Sequence, residues 1–136
     1  MAAVFPVDAE NMAATLMFKG VDVNRGTDLK LGLFTNVSFP VAPNLVTLSH
    51  ITEVASVGNP GYAAKTLVPG DWTITGSTAS ALMQTFSASG AWADVVSGYF
   101  VATTGTDPKL LFYQVDSAYT FVTGSAYDIT ISVAVS

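Results

Sequence analysis

One histidine, ten carboxylates and no cysteine bound the chemistry open to this chain of 136 residues. A catalytic serine needs a base to take its proton, and that base is held in turn by a third group. His50, the only imidazole, sits beside Ser49. Neighbours in sequence do not face each other in that geometry, and no G-x-S-x-G elbow is present, so the pair reads as surface or packing. Zinc lacks its usual ligands where there is one imidazole and no thiolate. Asp71, Asp94, Asp107, Asp116 and Asp128 stand singly at turns or strand ends, where a carboxylate satisfies backbone donors. A calcium loop would space them closely around a glycine. A calcium site assembled from separate loops stays open. No two carboxylates are marked out as an acid and base pair, and no glycine-rich stretch leads into G-K-[ST]. The residues therefore predict no enzyme, no cofactor and no metal centre.

Aromatic side chains offer a second chemistry, stacking on sugars. Trp72 and Trp92, with Tyr62, Tyr99, Tyr113, Tyr119 and Tyr127, could supply such a platform, but large aromatics also fill β cores and their rims. Tyr99, Phe100 and Phe112 stand inside continuous apolar runs and read as core. Trp92, flanked by SASGA and AD, reads as the exposed one. Asn36-Val37-Ser38 matches the N-glycosylation tripeptide. The opening MAAVFPVDAE lacks the basic and continuous apolar regions of a secretory signal, so synthesis in a cytosol is expected and the match reads as accidental.

The element that must position everything else is 93–117, ADVVSGYFVATTGTDPKLLFYQVDS. Val95, Val96, Tyr99, Phe100 and Val101 precede a turn-rich TTGTDP, and Leu110 to Tyr113 and Val115 follow it. Both arms of this hairpin are apolar at successive positions, which predicts a strand pair covered on both faces.

Composition limits the partners. Half the residues are hydrophobic and 11% are charged, against about 25% in an ordinary soluble domain. A membrane helix needs about 20 consecutive apolar residues, and no run approaches that length. With net charge −5 and the basic residues scattered singly, the basic stripe that nucleic acid requires is missing. A neutral surface of Ser, Thr, Gly and Ala, part of it buried against other subunits, accounts for the scarcity of charge.

In chain order, residues 1–7 read as an extended arm. A helix follows, with Asp8 as its cap, Ala9, Met12, Ala13, Leu16 and Met17 on one face, Lys19 in the last turn and Gly20 as its stop. GVDVNRGTD is a polar connector, and the rest reads as β. Leu29, Leu31 and Leu33 alternate in a half-buried strand, TNVSFPVAPN is a loop, LSHITEVAS holds one helical turn and VGNPG ends it. Extended segments follow at Tyr62 to Val68 and at Trp72 and Ile74. A weaker strand at 81–88 places Leu82, Gln84, Phe86 and Ala88 on one face. After the hairpin, Asp116 to Ala118 turns the chain and Tyr119 to Val122 is a short strand or bridge. In the last strand Tyr127, Ile129, Ile131, Val133 and Val135 alternate with Asp128, Thr130, Ser132 and Ala134. These elements predict a mainly β fold, an antiparallel β-sandwich or small β-barrel with a short N-terminal helix and arm. The division is 1–27 for the arm and helix and 28–136 for the β domain.

Phe5, Met12, Leu16, Met17 and Phe18 carry too much apolar surface for a solvated tail. They dock either on their own sheet or on a neighbouring subunit, and in the second case form an assembly interface.

The order of segments DLKLGLFTN, GYAAKTL, DWTIT, QTFSASG, SGYFV and LLFYQ, ending in the alternating strand, resembles small structural proteins of tailed bacteriophages. In that family the pattern runs K-L-x-L-F-x-N, G-Y-x-x-x-x-L, W, Q-x-F-x-x-x-G and G-Y-F-V. Here it falls on Leu29 to Asn36, Gly61 to Leu67, Trp72, Gln84 to Gly90 and Gly98 to Val101, and no single motif in it is specific. The resemblance implies a non-enzymatic virion protein of capsid decoration, or cement, type on the outer surface of the head. Its partner would be the major capsid protein, and self-association, with a homotrimer as the expected state, would supply the valency. A tail or baseplate adaptor, or a receptor-binding β domain, is the alternative it leaves. The family has no catalytic residues to carry over.

Overall fold

The structure is a computed structural model and describes residues 4–19 and 25–134. The helix, α1 (Val7–Lys19), begins directly after Pro6, whose carbonyl accepts the N–H groups of Ala9 (2.9 Å) and Glu10 (3.4 Å). Asp8 is therefore not the cap that the sequence suggested. It lies with Glu10 inside the first turn, where a carboxylate faces the positive end of the helix.

Nine strands follow among the described residues: β1 (Leu29–Phe34), β2 (Lys65–Leu67), β3 (Trp72–Thr75), β4 (Thr78–Ala81), β5 (Gln84–Ser87), β6 (Val95–Thr103), β7 (Leu110–Thr120), β8 (Ala126–Ile129) and β9 (Ser132–Ala134). They form three antiparallel sheets, ordered β2-β1-β6-β7, β3-β4-β9 and β5-β8. The sheets do not close into a barrel. The fold is sandwich-like, with the four-stranded sheet as one layer and the two smaller sheets as the other.

The β6–β7 hairpin lies at the centre and is covered on both faces. Tyr99, Val101 and Phe112 point into the main core with Leu31, Leu33, Leu67, Phe86, Ile129 and Ile131. Phe100, Ala102, Leu110 and Tyr113 face the other way, into a second core with Phe34 and Val46. Phe39, Val41, Leu48 and Ile51, from the long loop after β1, roof that second core. A register shift between Val101 and Ala102 leaves Leu111 as an extra residue in β7. This bulge is why Leu110 and Phe112, two apart, serve opposite cores.

Strand β1 is more buried than its half-polar alternation predicts, because the loop folds back over it. Gly32 lies against the Phe100 ring, 2.5 Å from where a Cβ would stand, and only Lys30 reaches outward. Its ammonium pairs with Glu53 at 2.5 Å, above the Phe100 ring. Strand β2 pairs with β1 only from Leu29 to Leu31. Beyond it the Tyr62 hydroxyl accepts the Leu33 N–H (3.2 Å) and the Val54 N–H reaches the Leu33 carbonyl (2.9 Å).

Three local expectations are corrected. Segment 81–88 is not one strand: β4 and β5 belong to different sheets, and the joint at Leu82 and Met83 leaves both side chains exposed. The last strand changes partner, since β8 pairs with β5 and β9 with β4, although Ile129, Ile131 and Val133 keep one inward face. Residues 116–118 do not turn the chain. They widen the pairing between Val96↔Tyr119 and Gly98↔Val115, and β7 runs on to Thr120.

Candidate functional site

The groups that could carry catalysis are engaged locally. His50 accepts the Thr47 N–H on Nδ1 (3.0 Å) and so closes its own 3-10 turn, Leu48–His50. Ser49 bonds the Thr47 hydroxyl (2.9 Å) instead of the imidazole. Asp71 accepts the Val68 N–H (2.9 Å), Asp107 pairs with Lys109 (2.8 Å) and Asp128 accepts from the Thr85 hydroxyl (2.5 Å). Asp116 takes a proton donor from Gln114 Nε2 (3.0 Å) and a very short hydrogen bond from Tyr127. Gln114 in turn accepts from the Tyr99 hydroxyl (3.2 Å). Burial, followed by the bond to Asp116, pushes the Tyr127 phenol far above its usual range. Among the described residues no three His, Asp or Glu side chains come together as a metal-binding group. Asn36, the head of the glycosylation tripeptide, clamps the ends of the long loop: its Nδ2 donates to the His50 carbonyl (3.0 Å) and its Oδ1 accepts the Thr52 N–H (2.7 Å).

The N-terminal residues are divided. Val4 exchanges backbone hydrogen bonds with Tyr113 (2.8 and 3.2 Å), so the arm adds to the edge of β7. Phe5 lies with its ring 5.8 Å from that of Phe112, and Met12 is buried. Met12 thus packs within its own chain and Phe5 rests against Phe112 while staying 37% exposed, and Phe18 is 85% exposed. The side chains of Leu16 and Met17 lie outside the described residues. Beside the helix an apolar groove of about 830 Å³ opens between the two layers, lined by Phe5, Met12, Trp72, Ile74, Phe112 and Val133 among others.

The opposite end of the sandwich carries a feature that motif reading missed. Three loops meet there, 54–61, 88–94 and 121–125, where β5 and β7 finish and β6 and β8 begin. Backbone bonds tie them together: Ala93 N–H to the Gly58 carbonyl (3.0 Å), Ser89 to Pro60 (3.1 Å), Trp92 to Phe121 (3.0 Å) and Gly124 to Ala88 (3.0 Å). Asn59, 1% exposed, is the pin. Its Nδ2 donates to the Ala55 carbonyl and to Asp94 Oδ2, each at 2.8 Å, and its Oδ1 accepts the Asp94 N–H at 2.9 Å.

Trp92, expected to be exposed, belongs to this framework and is buried. Its small neighbours let it turn inward, where it stacks on Phe121 (4.0 Å, 9°) and meets Tyr62 edge-on (5.6 Å, 82°). Its indole N–H donates to the Pro60 carbonyl (2.9 Å), which settles the one polar atom that burial would otherwise leave unpaired.

On these fixed loops two large apolar side chains stand exposed, Val57 at 87% and Val122 at 58%, among exposed small residues that include Ser56, Ser89 and Thr123. Val95 and Tyr119, on the adjoining strand ends, are also open to solvent. Asp94 is the sole charge within 54–61, 88–95 and 117–126, and Asn59 already occupies it. Loop tips are ordinarily polar and mobile. Here they are held by buried bonds and present an uncharged end of small residues with two exposed valines, which suits burial against another protein.

No helix among the described residues is long and apolar enough to cross a membrane. Compared with protein-family models and with characterised proteins, the sequence matches none.

Proposed function

We propose that this is a structural protein of a bacteriophage particle, a capsid decoration protein that docks its loop end on the outer surface of the head and ties neighbouring capsomers together. One observation carries the reading: Val57 and Val122 stand exposed on loops whose backbone is already fixed by Asn59 and Trp92. Side chains ordered before binding lose little entropy on docking, so a modest apolar patch yields useful affinity. Many weak copies around a shell then add by valency. The partner is the major capsid protein, the place of action is the virion surface, and the protein acts by contact without turning over a substrate. The order of segments from Leu29 to Val101 that resembles the phage family supports the same assignment.

The test is co-sedimentation of purified protein with shells of the encoding phage assembled without it. Saturable retention on shells, and shells that withstand more heat once loaded, are the expected results. Retention on isolated tails and not on shells would move the protein to the tail and overturn the proposal.

A further inference from the structure

The sheet edges are guarded unequally. Strand β2 carries Lys65, β8 carries Asp128, and β7 is partly covered by Val4 and widened by its irregularity opposite Ser97. Lysine, bulges and covering segments are the usual devices that keep an edge from pairing with another chain. Strand β3, Trp-Thr-Ile-Thr, has none of them, and among the described residues its only strand neighbour is β4; β5 and β9 are also uncharged edges, but of the three only β3 exposes a large apolar side chain, Ile74.

The turn that joins β3 to β4 fixes which backbone groups are free. Gly76 has φ +60° and Ser77 is not in the positive region, the signature of a type II′ turn across a two-residue connection. Thr75 and Thr78 then form the first bonded pair and Thr73 and Ser80 the next. The N–H and C=O of Ile74 consequently point away from β4. Its side chain is 67% exposed and, with Trp72, Ala79 and Val133, lines the apolar groove beside α1.

Charge says what can approach. The chain carries −5 overall, yet no charged residue occurs from Trp72 to Ala93. The nearest one before this stretch, Asp71, is turned back onto the Val68 N–H. Two copies repel one another where their carboxylates meet; the β3-β4-β9 sheet brings no charge of its own to that meeting, and the two charged residues that line the groove beside it, Glu10 and Arg25, are of opposite sign. The Trp72 N–H is already bonded to the Pro69 carbonyl, so the free edge is the N–H and C=O of Ile74 with the C=O of Trp72, a short donor and acceptor set that another strand matches.

We propose that β3 is a self-association edge. Two copies pair their β3 strands antiparallel about a two-fold axis, joining the three-stranded sheets into one six-stranded sheet, β9-β4-β3-β3-β4-β9. The axis passes beside Ile74, so the two Ile74 side chains cover one another and the groove of each copy is closed along its open side. The pairing is independent of attachment to a shell, and it replaces the trimer expected from the family resemblance with a dimer.

Sedimentation equilibrium of the full chain tests it. The wild type is expected at twice 14.1 kDa, and Ile74→Lys at 14.1 kDa with an unchanged circular dichroism spectrum. Val57→Lys, at the far end, should leave the dimer intact. Hydrogen exchange of the wild type gives a second readout that needs no variant: the Ile74 amide should exchange about tenfold more slowly when the protein is concentrated enough to pair. A wild-type monomer or trimer, a dimer that survives Ile74→Lys, or Ile74 exchange that ignores concentration would each overturn the proposal. Protection of Ile74 appearing only when shells are added would do so as well, by assigning the edge to another protein's strand.

Discussion

Asn59 and Asp94, 35 positions apart, are joined by two hydrogen bonds that run in opposite directions, side chain to carboxylate at 2.8 Å and backbone N–H to side-chain oxygen at 2.9 Å. The second carboxamide proton reaches the Ala55 carbonyl, so one buried side chain holds two loops in register. Replacing it leaves buried donors and acceptors without partners, and that desolvation cost exceeds the value of the bonds themselves. Asn59→Ala should lose about 3 kcal/mol in urea unfolding. It should also raise amide exchange in 54–61 and 88–94 ahead of global unfolding.

Gly98 is required for a different reason. A Cβ there would collide with the Gln114 carbonyl across the β6–β7 ladder and with the Phe34 ring, at 2.7 Å. Neither neighbour can yield, since one is strand backbone and the other a fully buried ring. Gly98→Ala should destabilise the fold by more than about 3 kcal/mol, whereas Gly70→Ala, with no atom within 4 Å of its new Cβ, should stay within about 0.5 kcal/mol of wild type. Parallel thermal melts of the two variants would check the contrast.

Two phenols predict an alkaline limit to stability. Burial raises both Tyr62 and Tyr127 well above the ordinary value of 10.0; for Tyr62 the Leu33 N–H opposes the rise and Glu53 reinforces it. A folded-state value above the unfolded one means that stability is complete below the unfolded value. It is lost as pH climbs from there toward the folded value, because only the unfolded chain can ionise. Unfolding free energy should therefore be flat for these groups up to about pH 9 and fall above about pH 10. Tyr62→Phe with Tyr127→Phe should make the fall shallower, leaving the share of Tyr99 and Tyr113, which burial also raises. A wild type whose tyrosines all ionise near 10 without unfolding would contradict the buried hydrogen bonds.

Docking by the loop end makes a clean separation between stability and binding. Val57→Glu and Val122→Glu place charge on exposed positions, so each should change stability by no more than about 0.5 kcal/mol. Retention on shells should nonetheless fall by at least about tenfold for the pair. Deleting residues 1–20 removes Phe5 and Met12 from the protein's own sheet, and it should lower thermal stability more than shell binding.

The central hairpin was the most legible part of the chain. Continuous apolar runs record burial on two faces, and Tyr99 and Phe100 do point into different cores. The last strand shows the limit of that reading. Its alternation persists through Thr130 and Ile131 because the same face stays inward, yet the hydrogen-bond partner changes from β5 to β4 along the way. Periodicity reports which face is buried and is blind to who the neighbour is.

The candidate site was the least legible. Trp92 sits among small residues with no period of its own, so nothing local distinguished an inward indole from an outward one; its partners, Phe121 and Pro60, are distant in sequence. Asn59, in the cluster VGNPG, looked like turn chemistry, and its role appears only once Asp94 is brought beside it. The exposed valines carry no motif, because a contact surface is defined by what the fold leaves uncovered. At the other end, the amphipathic spacing did place Met12 inward, but it could not tell that the arm before it would join β7 through Val4.

The charge-free stretch from Trp72 to Ala93 also determines how the protein can be probed. Between Lys65 and Lys109 there is no lysine or arginine, so trypsin releases residues 66–109 as one fragment that contains β3 through β6 whole. Tryptic footprinting and amine-reactive cross-linking are consequently silent over most of the surface on which contacts are proposed. Chymotryptic cleavage or photoactivated labels placed at Ile74 and Val57 will report on it.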